Sequence, residues 1–75
     1  MGWQAVERTA PDGGAKLIVG HVYEGAPRRM EIPVKSGYAI DAIFAEDPAR
    51  VALSGGSLVF ELGPDEAFAA LLKRA

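Results

Sequence analysis

His21 is the only histidine in the 75-residue sequence, and there is no cysteine. A protein-bound metal ordinarily takes several histidine, cysteine or carboxylate ligands. A hydrolytic triad needs a nucleophile on a sharp turn and a carboxylate to orient the base. His21 sits between Gly20 and Val22 in the most apolar stretch of the chain, so it reads as a structural or interface residue. Neighbouring carboxylates occur at Glu46-Asp47 and Asp65-Glu66. Glycoside hydrolysis uses two carboxyl groups roughly 5–10 Å apart, but adjacent strand residues point to opposite faces. Asp41 and Glu61 could be paired instead, yet both alternate with apolar residues and read as surface charge. Ser54-Gly55-Gly56-Ser57 lacks the spacing of a phosphate loop, a dinucleotide loop or a nucleophile elbow, and reads as a hairpin turn. No residue is therefore assigned to catalysis, to a metal or to a cofactor.

The aromatic residues allow two readings. Trp3, Tyr23 and Tyr38 could form a platform on which a sugar ring stacks. Alternatively, Tyr38 and Phe44 fill the core while Trp3 covers an edge or an interface, the commoner use of aromatic mass with a polar tip. The second reading is preferred, with Trp3, His21 and Tyr23 kept as candidates for interface or sugar contact.

Eight Lys and Arg against ten Asp and Glu leave a net charge of −2. Nucleic acid and anionic membrane surfaces call for a concentrated basic patch. The one internal basic pair, Arg28-Arg29, is followed by Glu31 and reads as a solvated loop. Neither partner class is expected. No apolar run approaches the ~20 residues that span a bilayer. Met1-Gly2-Trp3-Gln4 shows no basic-then-apolar leader; localisation stays open, a cytoplasmic one included. A domain of this length buries only ~60% of its unfolded surface and commonly leans on disulfides, a metal or a partner. Lacking cysteine and a histidine cluster, this chain is expected to lean on a partner, either a second copy or the rest of a larger protein.

The elements that would position these residues are short. Breakers recur at Pro11-Asp12-Gly13-Gly14, Gly25-Ala26-Pro27, Ser36-Gly37, Asp47-Pro48, Ser54-Gly55-Gly56-Ser57 and Gly63-Pro64. That rhythm predicts an all-β domain. Gln4 to Thr9 should pair with Lys16 to Tyr23 through a tight turn at Asp12-Gly13-Gly14. Leu17 and Val19 lie on one face of the second segment, Ile18 and Val22 on the other, which implies an interior strand covered twice or one reaching an interface. Met30, Ile32 and Val34 alternate with Glu31, Pro33 and Lys35, and Pro33 marks an edge. Tyr38, Ile40, Ala42 and Phe44 share an inward face. Val51 and Leu53 meet Leu58, Phe60 and Leu62 across Gly55-Gly56.

Residues 64–75 carry both periods, and local rules favour a helix, with Phe68, Leu71 and Leu72 at i, i+3, i+4. Pro64, Asp65 and Glu66 suit a helix start, and Lys73 and Arg74 suit its end. Phe68, Ala70 and Leu72 alternate equally well against Ala67, Ala69 and Leu71.

Trp3-Gln4-Ala5-Val6, then Ala15-Lys16-Leu17-Ile18-Val19, Pro27-Arg28-Arg29-Met30-Glu31-Ile32, Gly37-Tyr38 and the closing run Leu58 to Leu72 occur in an order that resembles a known domain. It is the C-terminal antiparallel β-sandwich that follows the catalytic barrel in glycoside hydrolases of the α-galactosidase (melibiase) type. The resemblance is one of strand and turn order over most of the chain, with no catalytic signature. It implies that the nucleophile and acid/base carboxylates lie in the barrel, that no position here corresponds to them, and that residues 64–74 form a strand.

The expectation is one small two-sheet antiparallel β-sandwich of six or seven strands over residues 3–75, with Met1-Gly2 read as an appended start. Its expected core is Leu17, Val19, Ile32, Val34, Tyr38, Ile40, Val51, Leu53, Leu58, Phe60, Phe68 and Leu72. The expected role is a non-catalytic accessory domain that stabilises a catalytic barrel of the same parent chain. The alternatives are a free-standing carbohydrate-binding module using Trp3, Tyr23 or Tyr38, and a self-associating structural domain using an apolar sheet face or an open edge.

Overall fold

Seven strands form two antiparallel sheets in the structure, a computed structural model that describes residues 2–34 and 37–75. They are β1 (Trp3–Thr9), β2 (Ala15–Val22), β3 (Met30–Pro33), β4 (Tyr38–Phe44), β5 (Val51–Ser54), β6 (Ser57–Phe60) and β7 (Ala67–Arg74). The larger sheet has the order β1-β2-β7-β4 and the smaller the order β3-β6-β5. A short 3₁₀ turn, Pro48–Arg50, joins β4 to β5. This is the small two-sheet all-β architecture that the spacing of breakers predicts. Lys35 of the β3 alternation and Ser36 of the following turn lie outside the described residues, as does Met1.

Turn chemistry fixes the hairpins. Gly55 and Gly56 both take positive φ between Ser54 and Ser57, the mirror-image turn whose twist suits two antiparallel strands. The β1–β2 connection is looser than the tight turn expected. Ala10 and Ala15 still bond across it, leaving four loop residues, Pro11 to Gly14. Asp12 accepts the Gly14 N–H at 2.8 Å. Gly2 extends the β1 ladder by accepting the Tyr23 N–H, and Pro33 does stand on an edge strand.

β7 is a strand in the middle of the larger sheet, hydrogen-bonded to β2 and β4. Phe68, Ala70 and Leu72 are buried at period two, and that burial outweighs the helix-like ends. The charged residues at those ends serve tertiary contacts instead. Asp65 turns the chain at φ +65, a conformation aspartate tolerates better than most residues. Lys73 pairs with Asp41 at 3.4 Å, and the Arg74 guanidinium donates to the Gly13 carbonyl at 3.0 Å.

The core lies between the sheets. Ile18, Val22, Phe68, Ala70 and Leu72 come from the larger sheet, and Met30, Val51, Leu58 and Phe60 from the smaller. Phe60 meets Phe68 with ring centroids 4.6 Å apart and takes the Trp3 ring edge-on at 5.5 Å. Ile32, Tyr38 and Leu53 pack against this cluster.

Leu17, Val19 and Ile40 do not belong to it, contrary to expectation; they are exposed, and Phe44 is more exposed still. Ile40 stands opposite the buried Leu72 on the edge strand and is only just exposed; the other three have two causes. On β2 both faces are apolar, so alternation alone leaves the choice of face open. Gly20 decides it. The register sets Gly20 opposite Phe68, and a Cβ at Gly20 would stand 2.3 Å from the Phe68 ring. The inner face is therefore the one carrying Ile18, Gly20 and Val22. On β4 a bulge falls between Ile40 and Ala42, which shifts the alternation by one residue. Ile43 then packs on the core and Phe44 turns outward.

Gly20→Ala should consequently cost about 1–3 kcal/mol by overpacking, and adding Phe68→Leu should recover part of the loss. Urea denaturation of the two variants checks this; an undiminished Gly20→Ala would contradict the face assignment.

Candidate functional site

The candidate aromatic residues lie on different sides of the molecule, Trp3 on β1, His21 on β2 with Tyr23 just past its end, and Tyr38 on β4. Trp3 turns inward against Phe60, so its ring is core mass. His21 and Tyr23, two residues apart on one strand line, both face outward with ring centroids 4.5 Å apart. The Tyr23 hydroxyl donates to Gln4 Oε1 at 3.1 Å. Tyr38 belongs to the opposite end of the sandwich. Its hydroxyl donates to the Gly13 carbonyl at 2.6 Å, and the Lys16 ammonium and Arg74 guanidinium each lie 5.5 Å from its ring centre. Lys16 is itself buried and bridges to Glu7 at 3.3 Å. Pairing with a carboxylate and an aromatic face is what makes a buried ammonium tolerable. Trp3, Tyr23 and Tyr38 therefore do not form one platform; only His21, Tyr23 and Gln4 come together.

A cleft of about 420 Å³ opens among the described residues where β2 ends and the chain crosses from β6 to β7. Val22, Leu62 and Pro27 form apolar wall, and Arg28, Arg50 and Glu61 line it with charge. Arg50 is held by Glu66 at 3.6 Å, and Glu66 accepts the Gly63 N–H at 2.6 Å. One carboxylate thus clamps the crossover that joins the two sheets. Among the described residues no buried side-chain nitrogen or oxygen lacks a hydrogen-bond partner, and no three His, Asp or Glu side chains gather as metal ligands would.

The most distinctive surface is the outer face of the larger sheet. The registers align Val6, Val19, Ala69 and Phe44 in one row across all four strands, and Arg8, Leu17, Leu71 and Ala42 in the next. In the first row Val6 is 51% exposed, Val19 45% and Phe44 64%. Strand spacing and rise give these two rows roughly 260 Å², close to the few hundred Å² at which a contiguous apolar patch on a monomeric protein is often functional. Apolar residues on both faces of β2 signal this surface in the sequence. Phe44 is hidden from sequence reasoning, because only the bulge turns it outward.

Comparison with known protein families, with curated proteins and with solved structures finds no match.

The Glu66 clamp gives a quantitative expectation. Its bond to the Gly63 N–H is charge-assisted and partly buried, so Glu66→Ala should lose about 1.5–3 kcal/mol. Arg50→Ala removes only a half-exposed ion pair and should lose under about 1 kcal/mol. Urea titration of both distinguishes the cases, and equal losses would mean that the ion pair, not the backbone bond, carries the clamp.

Proposed function

We propose that this chain is a non-catalytic accessory β-sandwich, carried within a longer polypeptide, that packs the outer face of its larger sheet against a neighbouring catalytic domain. The observation that carries the proposal is the continuous apolar row Val6–Val19–Ala69–Phe44 on the outer face of the larger sheet, with Leu17 exposed beside it. Sheets of this kind bury one face in their own core and leave the other either polar or covered. Burying a few hundred Å² of apolar surface is worth several kcal/mol gross at about 25 cal/mol per Å². A partner tethered in the same chain gains most of that, because linkage removes much of the entropy cost of association. The resemblance to the C-terminal sandwich of α-galactosidase-type enzymes supports a glycosidase barrel as the neighbour.

A carbohydrate-binding role has one observation in its favour, the outward grouping of Tyr23, His21 and Gln4. It lacks the second stacking ring, since Trp3 is packed on Phe60. NMR titration of the Tyr23 ring with oligosaccharides tests it: a saturable shift would support sugar contact, and no shift would exclude it.

The accessory role predicts that antibodies raised against the 75 residues detect a much longer native polypeptide in source cells. The isolated chain should bind a hydrophobic dye, and Phe44→Ser should weaken that binding without lowering the melting temperature. A native product of only 75 residues, or aryl-glycoside turnover by the isolated chain, would overturn the proposal.

A further inference from the structure

The four sheet edges are not equally protected. β3 and β5 are only four residues long, and β3 contains Pro33, which cannot donate to an added strand. β4 is bulged between Ile40 and Ala42 and turns directly into the Asp47–Arg50 corner. These are the usual devices by which proteins blunt an edge. β1 has none of them. It runs for seven residues, Trp3 to Thr9, without proline, glycine or register shift, and Val6 to Thr9 are exposed. Its inner-face charge, Glu7, is turned onto Lys16 rather than left free along the edge.

The direction of the free peptide groups follows from the register. Gly2 accepts the Tyr23 N–H, and the Ala10 N–H donates to the Ala15 carbonyl. Even-numbered residues of β1 therefore turn their peptide groups toward β2, by the alternation of an antiparallel ladder. Trp3, Ala5, Glu7 and Thr9 point theirs outward.

We propose that two copies of this chain join through β1, antiparallel, with Val6 on the two-fold axis. In that register Trp3 faces Thr9 of the second copy and Ala5 faces Glu7, so all four outward residues of each strand exchange hydrogen bonds. Sliding by two residues in one direction sets Glu7 against Glu7 and loses one bonded pair. Sliding the other way strands Thr9. The Val6-centred register also places Arg8 opposite Gln4, so no like charges meet. The two larger sheets become one eight-stranded sheet, and the apolar row Phe44–Ala69–Val19–Val6 continues into its symmetry mate. The proposal does not rest on the accessory-domain reading, because it uses an edge rather than the outer face.

Sedimentation equilibrium of the full chain at concentrations up to about 1 mM, the range of weak complexes, should show a monomer–dimer equilibrium. Ala5→Pro removes one outward donor at an edge where proline is tolerated, and should abolish the dimer while circular dichroism stays unchanged. Val6→Lys, which sets two ammonium groups on the axis, should do the same if Ala5→Pro proves unfolded. Phe44→Ser should leave the dimer intact. The chain has no cysteine, and a facing pair that is not hydrogen-bonded brings Cα atoms to about 4.5 Å, within disulfide reach. With oxidised glutathione as the two-electron acceptor, Val6→Cys should therefore form a covalent dimer at least about tenfold faster than Arg8→Cys, because only the axial position gains a high effective concentration. A strict monomer would overturn the proposal. So would a dimer lost with Phe44→Ser but kept with Ala5→Pro, which would assign self-association to the outer face.

Discussion

The contact between Phe60 and Phe68 across the space left by Gly20 fixes which side of each sheet is inside. Phe68 belongs to the central strand of the larger sheet and Phe60 to the central strand of the smaller. Their rings meet in a tilted arrangement with centroids 4.6 Å apart, within the contact range of aromatic pairs. Trp3 closes the cluster edge-on. A side chain at Gly20 would occupy the Phe68 ring position, so neither sheet can approach the other in a different register without losing this contact. Since strand side chains alternate, one such pin assigns every other residue of β2 and β7 to a face.

The outward surface is the consequence of that assignment. With Ile18, Val22, Phe68, Ala70 and Leu72 committed to the interior, the equally apolar Leu17, Val19, Ala69 and Leu71 have only solvent to face. The polar groups, by contrast, are arranged around the ends of the sandwich. Lys16, Glu7, Tyr38 and Arg74 gather at the β1–β2 loop, and Glu66 clamps the crossover at the other end. These groups bind one another. Between those ends the outer face of the larger sheet carries the exposed Val6, Leu17, Val19 and Phe44, and β1 at its edge is an unpaired strand.

Much of the fold was legible in the residues. Gly55-Gly56 between two apolar runs specifies a hairpin, Pro33 specifies an edge, and the spacing of breakers specifies short strands. The strand at Ala67–Arg74 was not legible from its own residues, whose local rules favour a helix because Asp65, Glu66, Lys73 and Arg74 mimic helix ends; the resemblance alone implied a strand. The faces of β2 and β4 were less legible. On β2 the decisive residue is Gly20, whose meaning appears only when Phe68 is known to lie opposite. On β4 nothing in Tyr38–Phe44 announces a bulge, since Asp41 fits an outward position in either phase. The candidate contact residues were no more legible: Tyr23 shares the parity of Leu17 and Val19, so its exposure waits on the same choice of face, and the inward turn of Trp3 depends on the distant Phe60. The cleft beside Arg50 is assembled by three loops far apart in sequence, a non-local arrangement that periodicity does not encode.

The orientation of the larger sheet is most directly tested by NMR of the isolated chain with a soluble paramagnetic probe. If Phe60 and Phe68 pin the inner face, their rings show strong mutual cross-relaxation, while the Val6 and Val19 methyls and the Phe44 ring are broadened by the probe and the Ile18 and Val22 methyls are not. Broadening of Ile18 and Val22 with protection of Leu17 and Val19 would mean that the sheet packs the other way round, and the apolar outer face would not exist.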